Sequence, residues 1–532
     1  MSGKVSVITL GCSKNTVDSE RLMKQIQLNK IGLVDDPNKA ETVIINTCGF
    51  IEAAKEESIN TILEAVAMKN SGKIKKVIVA GCLSERYKAD LLKEIPEVDV
   101  YFGTENYEGI IKELGGNLKK ELLGERLLTT PSHTAYLKIS EGCDHPCSFC
   151  AIPLMRGLHK SKPMDELIRE AEFLAKNNTK ELVLIAQDTT DYGKDIYGKN
   201  NISELLRKLS KIEGIEWIRL MYAYPSKFPD ELIEEIKTNP KVCKYVDIPL
   251  QHISDDVLKS MRRGVTADRT RKLLHKLRKE IPDITIRTTF IVGYPNESEK
   301  DFEELCDFVR EIKFDRIGTF TYSVEENTSS YILGDPVSVE EKENRKNILM
   351  EIQKDISLEK NESFIGKKLR VLVESVEGDF LVGRSYRDAP EVDSNAITNK
   401  KVPDEVEVFE INGPFFFGAV SKFRDAMRFI ESPPKVLIIR MRNVPAIDGT
   451  GIHALEEVYH ESIKKGTQLV LSGVHTQPLI ALDQSGFLKV IGEQNVLGNI
   501  DDSLDRAREI LGLEKLGRPE DFEPSVKREK NK

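Results

Sequence analysis

The chain has 532 residues, 40% hydrophobic, 31% charged and 7% aromatic, which predicts several domains of about 150 residues and excludes a wholly disordered protein. Its longest apolar runs, 77–80, 182–186 and 436–439, fall far short of the roughly 20 residues that span a bilayer; with no apolar signal segment in the opening residues, a cytoplasmic protein without a membrane partner is expected. The net charge of −9 is evenly spread, with 17 basic and 21 acidic side chains over 404–532 and 61 and 66 before it, which argues against bulk nucleic-acid binding.

The pattern predicts a multidomain α/β fold. Over 1–115, strands at 5–10, 42–46 and 76–80 alternate with helices at 17–27 and 51–68, which implies parallel pairing in a three-layer sheet domain. Over 130–360 the alternation continues at a longer period. Strands are expected at 135–139, 181–185, 217–221, 245–248, 285–292 and 316–320, with amphipathic helices such as 163–176 and 267–279 between them. Six such units fit a partial or complete β/α barrel. Residues 363–398 change style, with two strands at 367–376 and 379–384 turning at Glu377-Gly378. The polar, irregular stretch 388–403 reads as a boundary. A fresh α/β pattern fills 404–513, with strands at 406–411, 435–441 and 468–472 and helices at 420–429, 451–464 and 503–511. The charged tail 514–532 is expected to be disordered.

All eight cysteines lie between Cys12 and Cys306. Without a signal segment, metal or redox chemistry is a better reading than disulfides. Cys143, Cys147 and Cys150 form Cys-x3-Cys-x2-Cys just after the strand at 135–139. Three thiolates on one loop can hold three irons of a [4Fe–4S] cluster and leave the fourth iron open. Structural zinc is the alternative, but it wants a fourth ligand, and His145 sits inside the first spacer, where its geometry is poor. Cys12, Cys48 and Cys82 form a second triplet, each at the carboxyl end of an expected strand. Ligands collect beyond such ends in open parallel sheets, so these thiols should converge. Gly11, Gly49 and Gly81 beside them would let backbone approach a bulky cofactor; three ordinary buried cysteines are the alternative. Cys243 and Cys306 fall outside both triplets and read as structural.

The barrel triplet resembles that of the radical S-adenosylmethionine superfamily. There the open iron chelates S-adenosylmethionine, and reduction yields a 5′-deoxyadenosyl radical. Two triplets, one on a small α/β domain and one on a barrel, resemble the methylthiotransferases. Leu10-Gly-Cys-Ser-Lys-Asn-Thr-Val-Asp-Ser-Glu20, Asn46-Thr-Cys-Gly-Phe-Ile51 with Ala54-Lys-Glu-Glu-Ser-Ile59, and Asp247-Ile-Pro-Leu-Gln-His-Ile-Ser254 with Met261-Arg-Arg-Gly264 resemble the RimO type over about 3–390. The resemblance implies an enzyme that methylthiolates the β-carbon of an aspartate on small-subunit ribosomal protein twelve. It implies two [4Fe–4S] clusters on Cys12, Cys48, Cys82 and on Cys143, Cys147, Cys150, with S-adenosylmethionine as radical source and methyl donor and a protein as electron donor. An unactivated C–H bond needs a radical to break it, so both open irons must face one cavity. The tRNA-modifying MiaB type usually has Gln-Ser-Gly-Ser where this chain has Gln251-His-Ile-Ser254; a tRNA adenosine methylthiotransferase is the alternative.

The same resemblance assigns cofactor contacts to Phe149, Gln187, Asp188, Arg219, Gln251 and Gly293. Gln187 and Asp188 follow the second barrel strand, where the superfamily holds the methionine amino group. Arg219 and Gln251 end later strands and are expected to point into the same mouth. Gly293-Tyr-Pro-Asn-Glu297 looks like the superfamily's glycine motif beside the adenine. Each polar residue could equally make a structural hydrogen bond. His252 and Tyr322 are pocket or packing residues, and the basic helix at 269–279 reads as a solvated outer face.

Residues 369–376 and 380–393 resemble the first half of a TRAM domain, a small β-barrel used for substrate contact. Without closing strands its edges stay unpaired. Residues 404–513 resemble the STAS domain of SulP anion transporters, on Val406-Glu-Val-Phe-Glu-Ile-Asn-Gly-Pro-Phe-Phe-Phe-Gly418, Asn443-Val-Pro-Ala-Ile-Asp-Gly-Thr-Gly-Ile452 and Leu469-Val-Leu-Ser-Gly-Val474. With no membrane helices, transport is not expected. Stand-alone STAS relatives are phosphorylated at the loop that Asp448-Gly-Thr-Gly451 matches, which makes Thr450 a candidate phosphosite at a helix start; simple helix capping is the alternative. A further alternative is a regulatory or binding module fused to an enzyme half impaired by the TRAM truncation.

Overall fold

The computed structural model describes residues 3–122, 124–226, 228–377, 380–390, 393, 396–398, 405–412, 433–444, 447 and 449–514. The chain divides into two compact units. One runs to Arg370 and takes in Ser385–Asp393; the other holds Val371–Arg384 and the residues from 394 onward.

The first unit opens with a five-stranded sheet. Strands β1 (Lys4–Thr9), β2 (Gly32–Leu33), β3 (Thr42–Thr47), β4 (Lys76–Gly81) and β5 (Val100–Tyr101) lie in the order β2-β1-β3-β4-β5, all parallel. Val43, Ile44, Ile45, Val77, Ile78 and Val79 are all buried; a parallel sheet covered on both faces needs such unbroken apolar runs. Helices α1 (Ser13–Leu28), α2 (Glu52–Asn70) and α3 (Cys82–Glu94) cover it. The edge strands β2 and β5 were not expected, because two residues carry no readable period.

The barrel region adds a short ribbon, β7 (Ser140–Glu141) with β8 (Lys160–Ser161), and six parallel strands. These are β6 (Thr134–Lys138), β9 (Glu181–Ile185), β10 (Trp217–Leu220), β11 (Val242–Asp247), β12 (Thr285–Val292) and β13 (Arg316–Thr321), ordered β13-β12-β11-β10-β9-β6. Among the described residues β13 and β6 do not pair with each other, so the barrel is partial. Its core is aliphatic, with Leu137, Leu184, Leu220, Val246 and Ile286 buried among the covering helices.

Residues 385–390 and 393, expected in the TRAM-like segment and the boundary stretch, instead pack under the amino-terminal end of this barrel. Arg316, at the start of β13, donates to Asp388 at 2.7 Å, and the Tyr245 hydroxyl donates to Asp393 at 2.8 Å. Arg219 and Arg287 take acceptors from the strands themselves, Glu181 of β9 and Asp247 of β11, and the segment adds the Tyr386 carbonyl for Arg219 and Asp388 for Arg316, since buried charges need every such partner.

The second unit contains a sheet of β14 (Val371–Glu377), β15 (Phe380–Ser385) and β16 (Ala396–Thr398), with β15 and β16 antiparallel. Strand β16 corrects the reading of that stretch as irregular. Its three residues are too few to show alternation. A four-stranded parallel sheet follows, β17 (Val406–Asn412), β18 (Val436–Asn443), β19 (Gln468–Ser472) and β20 (Val496–Leu497), in that order. Helices Gly449–Lys464 and Ile500–Ile510 were expected; Thr476–Gln484 and Phe487–Ile491 were not. The helix expected at 420–429 and the tail from 515 lie outside the described residues. No described helix is long and apolar enough to cross a membrane.

Candidate active site

The sheet order β1-β3-β4 brings Cys12, Cys48 and Cys82 side by side, because each stands just beyond its strand. Cys12 is exposed, Cys48 half-buried and Cys82 buried. The glycines beside them serve a different end from the one expected. A Cβ on Gly11 would lie 2.9 Å from the Cys48 Sγ, and one on Gly81 only 2.6 Å from the Thr47 carbonyl, at φ of +89° and +100°. They let the cysteine loops close on one another, where any side chain would hold them apart.

Beside Cys12 stands Asn15. Its Nδ2 donates to the carbonyls of Leu10 at 2.7 Å and Thr47 at 3.0 Å, and its Oδ1 is 3.9 Å from the Cys82 Sγ. Ser58 fixes the middle loop, accepting from the Cys48 amide at 3.0 Å and donating to its carbonyl at 2.8 Å.

Cys143, Cys147 and Cys150 share one loop. It is tied by the Cys143 amide donating to Gly157 at 3.1 Å and the Cys150 amide donating to Cys147 at 3.2 Å. Arg263 donates to the Cys147 Sγ at 3.3 Å, and the Tyr224 hydroxyl lies 3.7 Å from the same sulfur while donating to the Arg263 carbonyl at 2.6 Å. Tyr224 stacks on His145, with ring centroids 3.6 Å apart. His145 Nε2 meets Asp188 at 2.6 Å, which occupies the ring. Burial pushes the thiols of Cys82, Cys143 and Cys150 up to about 12, and neighbouring thiols of the same triplet push the same way. Such thiols are neutral in the metal-free chain.

The two triplets meet across one boundary within the first unit. Cys82 packs against Ala151, Ile152 and Met155, at the start of helix α4 (Ile152–Arg156), which begins two residues after Cys150. Behind them lies a buried charge network. Lys138 binds Asp18, Glu105 at 2.7 Å and Glu141 at 2.6 Å, and Arg156 binds Asp18 at 3.0 Å and Glu141 at 2.8 Å. Burial alone would raise the Asp18 carboxyl, but Lys138 and Arg156 outweigh it and hold the group well below the usual carboxylate range. Nearby, the Lys14 ammonium sits 3.3 Å above the Tyr222 ring at the end of β10.

The other expected contacts divide. Gln187 donates to Glu141 at 2.8 Å and leaves its Oε1 buried without a partner. Gln251 continues β11 at φ +74°, its amide donating to Thr289 at 2.8 Å, and its Oε1 is likewise buried and unpartnered. Asp188 accepts from the Thr190 amide at 2.8 Å as well as meeting His145. Phe149 packs with Val257, Met261, Tyr294 and Tyr322. The Gly293 amide donates to Glu297 at 2.7 Å, and a Cβ there would strike Lys342. Arg219 does not reach the mouth, contrary to expectation. It donates to Glu181, at the start of β9, at 2.7 Å and to the Tyr386 carbonyl at 2.7 Å, which places it at the opposite end of the barrel. His252 is packed inside, with Nδ1 accepting from the Ser254 amide at 3.0 Å. Tyr322 is buried on Ser330 at 3.1 Å. Thr450 stands exposed in the first turn of its helix, and Asp448 is outside the described residues. On helix 267–280, Arg271, Lys272, Lys276 and Arg278 all pair with carboxylates.

Asn15, Arg156, Tyr224 and Arg263 were missed as site residues. Asn15 and Arg263 lie inside the quoted motifs, so their neighbours were a signal; Tyr224 and Arg156 carried none.

Family models match in four places: the radical SAM superfamily over 137–309, Uncharacterized protein family UPF0004 over 4–103, the TRAM domain over 365–415 and the STAS domain over 398–507. The last two overlap, so the TRAM-like segment runs directly into the STAS domain. The chain is 54% identical over 422 residues to ribosomal protein uS12 methylthiotransferase RimO of Christiangramia forsetii, which covers 79% of this chain and 92% of that one. It is 51% identical over 426 residues to the same-named protein of Chloroherpeton thalassium, covering 80% and 97%. A solved structure of a sulfate transporter family protein from Wolinella succinogenes is 46% identical with a TM-score of 0.21, covering 21% of this chain and 93% of that one. With the cysteine-bearing α/β domain and barrel matched along nearly the whole length of these relatives, the chain belongs to the RimO family of radical SAM methylthiotransferases.

Proposed function

We propose that the chain transfers a methylthio group to the β-carbon of an aspartate on ribosomal protein uS12, with one [4Fe–4S] cluster on Cys143, Cys147 and Cys150 and a second on Cys12, Cys48 and Cys82. The observation that carries this reading is the packing of Cys82 on the helix that follows Cys150. The relatives' printed activity supports the substrate.

When bound, the clusters supply the electron that cleaves S-adenosylmethionine and an iron that carries sulfur. The chain's own groups hold and orient. Arg263 donates to the Cys147 sulfur and fixes its place in the loop. The orphaned oxygens of Gln187 and Gln251 are buried acceptors suited to the ammonium group of S-adenosylmethionine. Phe149 and Gly293 belong to the same end of the barrel, and Asp188 acts through His145 and Tyr224 to fix the cysteine loop. Lys14 over Tyr222 joins the α/β domain to the barrel. Electrons come from a separate donor protein, and the work is done in the cytoplasm where ribosomes assemble. Thr450 remains a candidate phosphosite of the STAS domain.

The test is mass spectrometry of uS12 after expression in cells lacking this modification. A gain of one methylthio group on an aspartate is expected. The group on tRNA instead, or on neither, overturns the proposal. Anaerobic reconstitution should give about eight irons per chain, and about four would remove the second cluster.

A further inference from the structure

A single amide touches all three loops of the Cys12–Cys48–Cys82 triplet. The two Nδ2 hydrogens of Asn15 are spent on the carbonyls of Leu10 and Thr47, which precede Cys12 and Cys48, and its Oδ1 faces the Cys82 sulfur. That oxygen also accepts from Arg156 Nη2 at 2.5 Å. Arg156 belongs to the other triplet's side, ending the helix that follows Cys150. Its Nη1 is shared between Asp18 of α1 and Glu141, two residues before Cys143, and Glu141 in turn accepts from Gln187 at 2.8 Å. Asn15, Asp18, Glu141 and Arg156 are all buried.

A continuous chain of hydrogen bonds thus runs from Gln187 through Glu141, Arg156 and Asn15 to the three loops. None of these groups is a cysteine, and ligation does not require them. Burying a guanidinium here is costly unless every partner is in place, so the chain tolerates one arrangement and resists others. A planar fork with fixed donor directions also sets orientation, which a lysine cannot do.

We propose that Asn15 and Arg156 are positioning residues that fix the spacing and orientation of the two cysteine triplets, so that a substrate radical formed on the barrel side meets the sulfur held on the other. This rests on the two-cluster reading, but one arm of its test does not.

Asn15→Leu keeps the branched shape, removes both donors and adds no charge beside the thiols. In the metal-free chain, Cys12, Cys48 and Cys82 should alkylate with iodoacetamide about tenfold faster, the size of losing roughly one strong buried hydrogen bond, while Cys143, Cys147 and Cys150 keep their rates. Equal acceleration at all six thiols, or none at any, overturns the proposal. In the reconstituted enzyme, Asn15→Leu and Arg156→Gln should still release 5′-deoxyadenosine but yield about tenfold less methylthio product for each one released. Arg156→Lys should fall between Arg156→Gln and the wild type. An unchanged ratio in both variants overturns the proposal. A wild-type chain that holds only about four irons defeats the two-cluster reading itself, and the alkylation result then decides this inference alone.

Discussion

The two cysteine triplets place the same donor atoms by opposite means. Cys143, Cys147 and Cys150 lie on one loop, held by its own amides and by Arg263. Cys12, Cys48 and Cys82 come from three strands and meet only because β1, β3 and β4 are neighbours in register. The first set is secured by local chain geometry. The second is a property of the folded sheet and its packing, so distant changes should reach it first.

Removing one thiolate from each set tests that contrast most sharply. Cys147→Ala should abolish both 5′-deoxyadenosine release and methylthio transfer. Cys48→Ala should abolish transfer alone, with 5′-deoxyadenosine still appearing on chromatography. Transfer surviving in Cys48→Ala would break the comparison.

The next largest effect lies in the network behind them. Lys138→Met leaves Asp18, Glu105 and Glu141 without their lysine, and breaking a buried ion pair costs about 3–5 kcal/mol. Urea unfolding should show that loss, and a change confined to a few tenths of a kcal/mol would mean that Arg156 suffices as counter-ion. Gly81→Ala comes third. A backbone position that only glycine adopts easily costs on the order of 1–3 kcal/mol when filled, and the new Cβ meets the Thr47 carbonyl. Iron should be lost from the dispersed triplet while the loop triplet keeps its own.

The effect that is smallest at neutral pH is one of acid stability and should spare both triplets. Burial pushes the His252 ring down to about 3 from its ordinary 6.5. Between those values the unfolded chain binds a proton that the folded chain refuses, so stability rises with pH through the window. It is fully present above pH 6.5 and is lost as pH falls toward 3. His252→Gln should flatten that part of the stability profile, and an unchanged slope would place the acid sensitivity elsewhere.

Much of the fold was readable along the chain. The strands Glu181–Ile185, Thr285–Val292 and Gln468–Ser472 were expected with the ends the structure gives them, because each is an apolar or β-branched run between turn signals. Arg219 shows where such reading stops. Strand alternation says that a side chain points inward, but not toward which end of the barrel it then leans. That is set by where its partner lies, and here the partners are Glu181 and the Tyr386 carbonyl. The glycines beside the cysteines were rightly singled out as places of close approach, yet what approaches is the neighbouring cysteine loop.

By itself the sequence determined which atoms are available for metal chemistry, the spacing of the loop triplet and the order of strands and helices, since ligand type and hydrophobic period are local properties. Only the tertiary structure decided that Cys82 rests on the helix after Cys150, that Asn15 joins three loops to Arg156, and that Asp388 and Asp393 serve barrel side chains. Each of these is a buried polar or sulfur group finding a partner far away in the chain. Burial makes such partners obligatory, and the fold alone says which residue is near enough to serve.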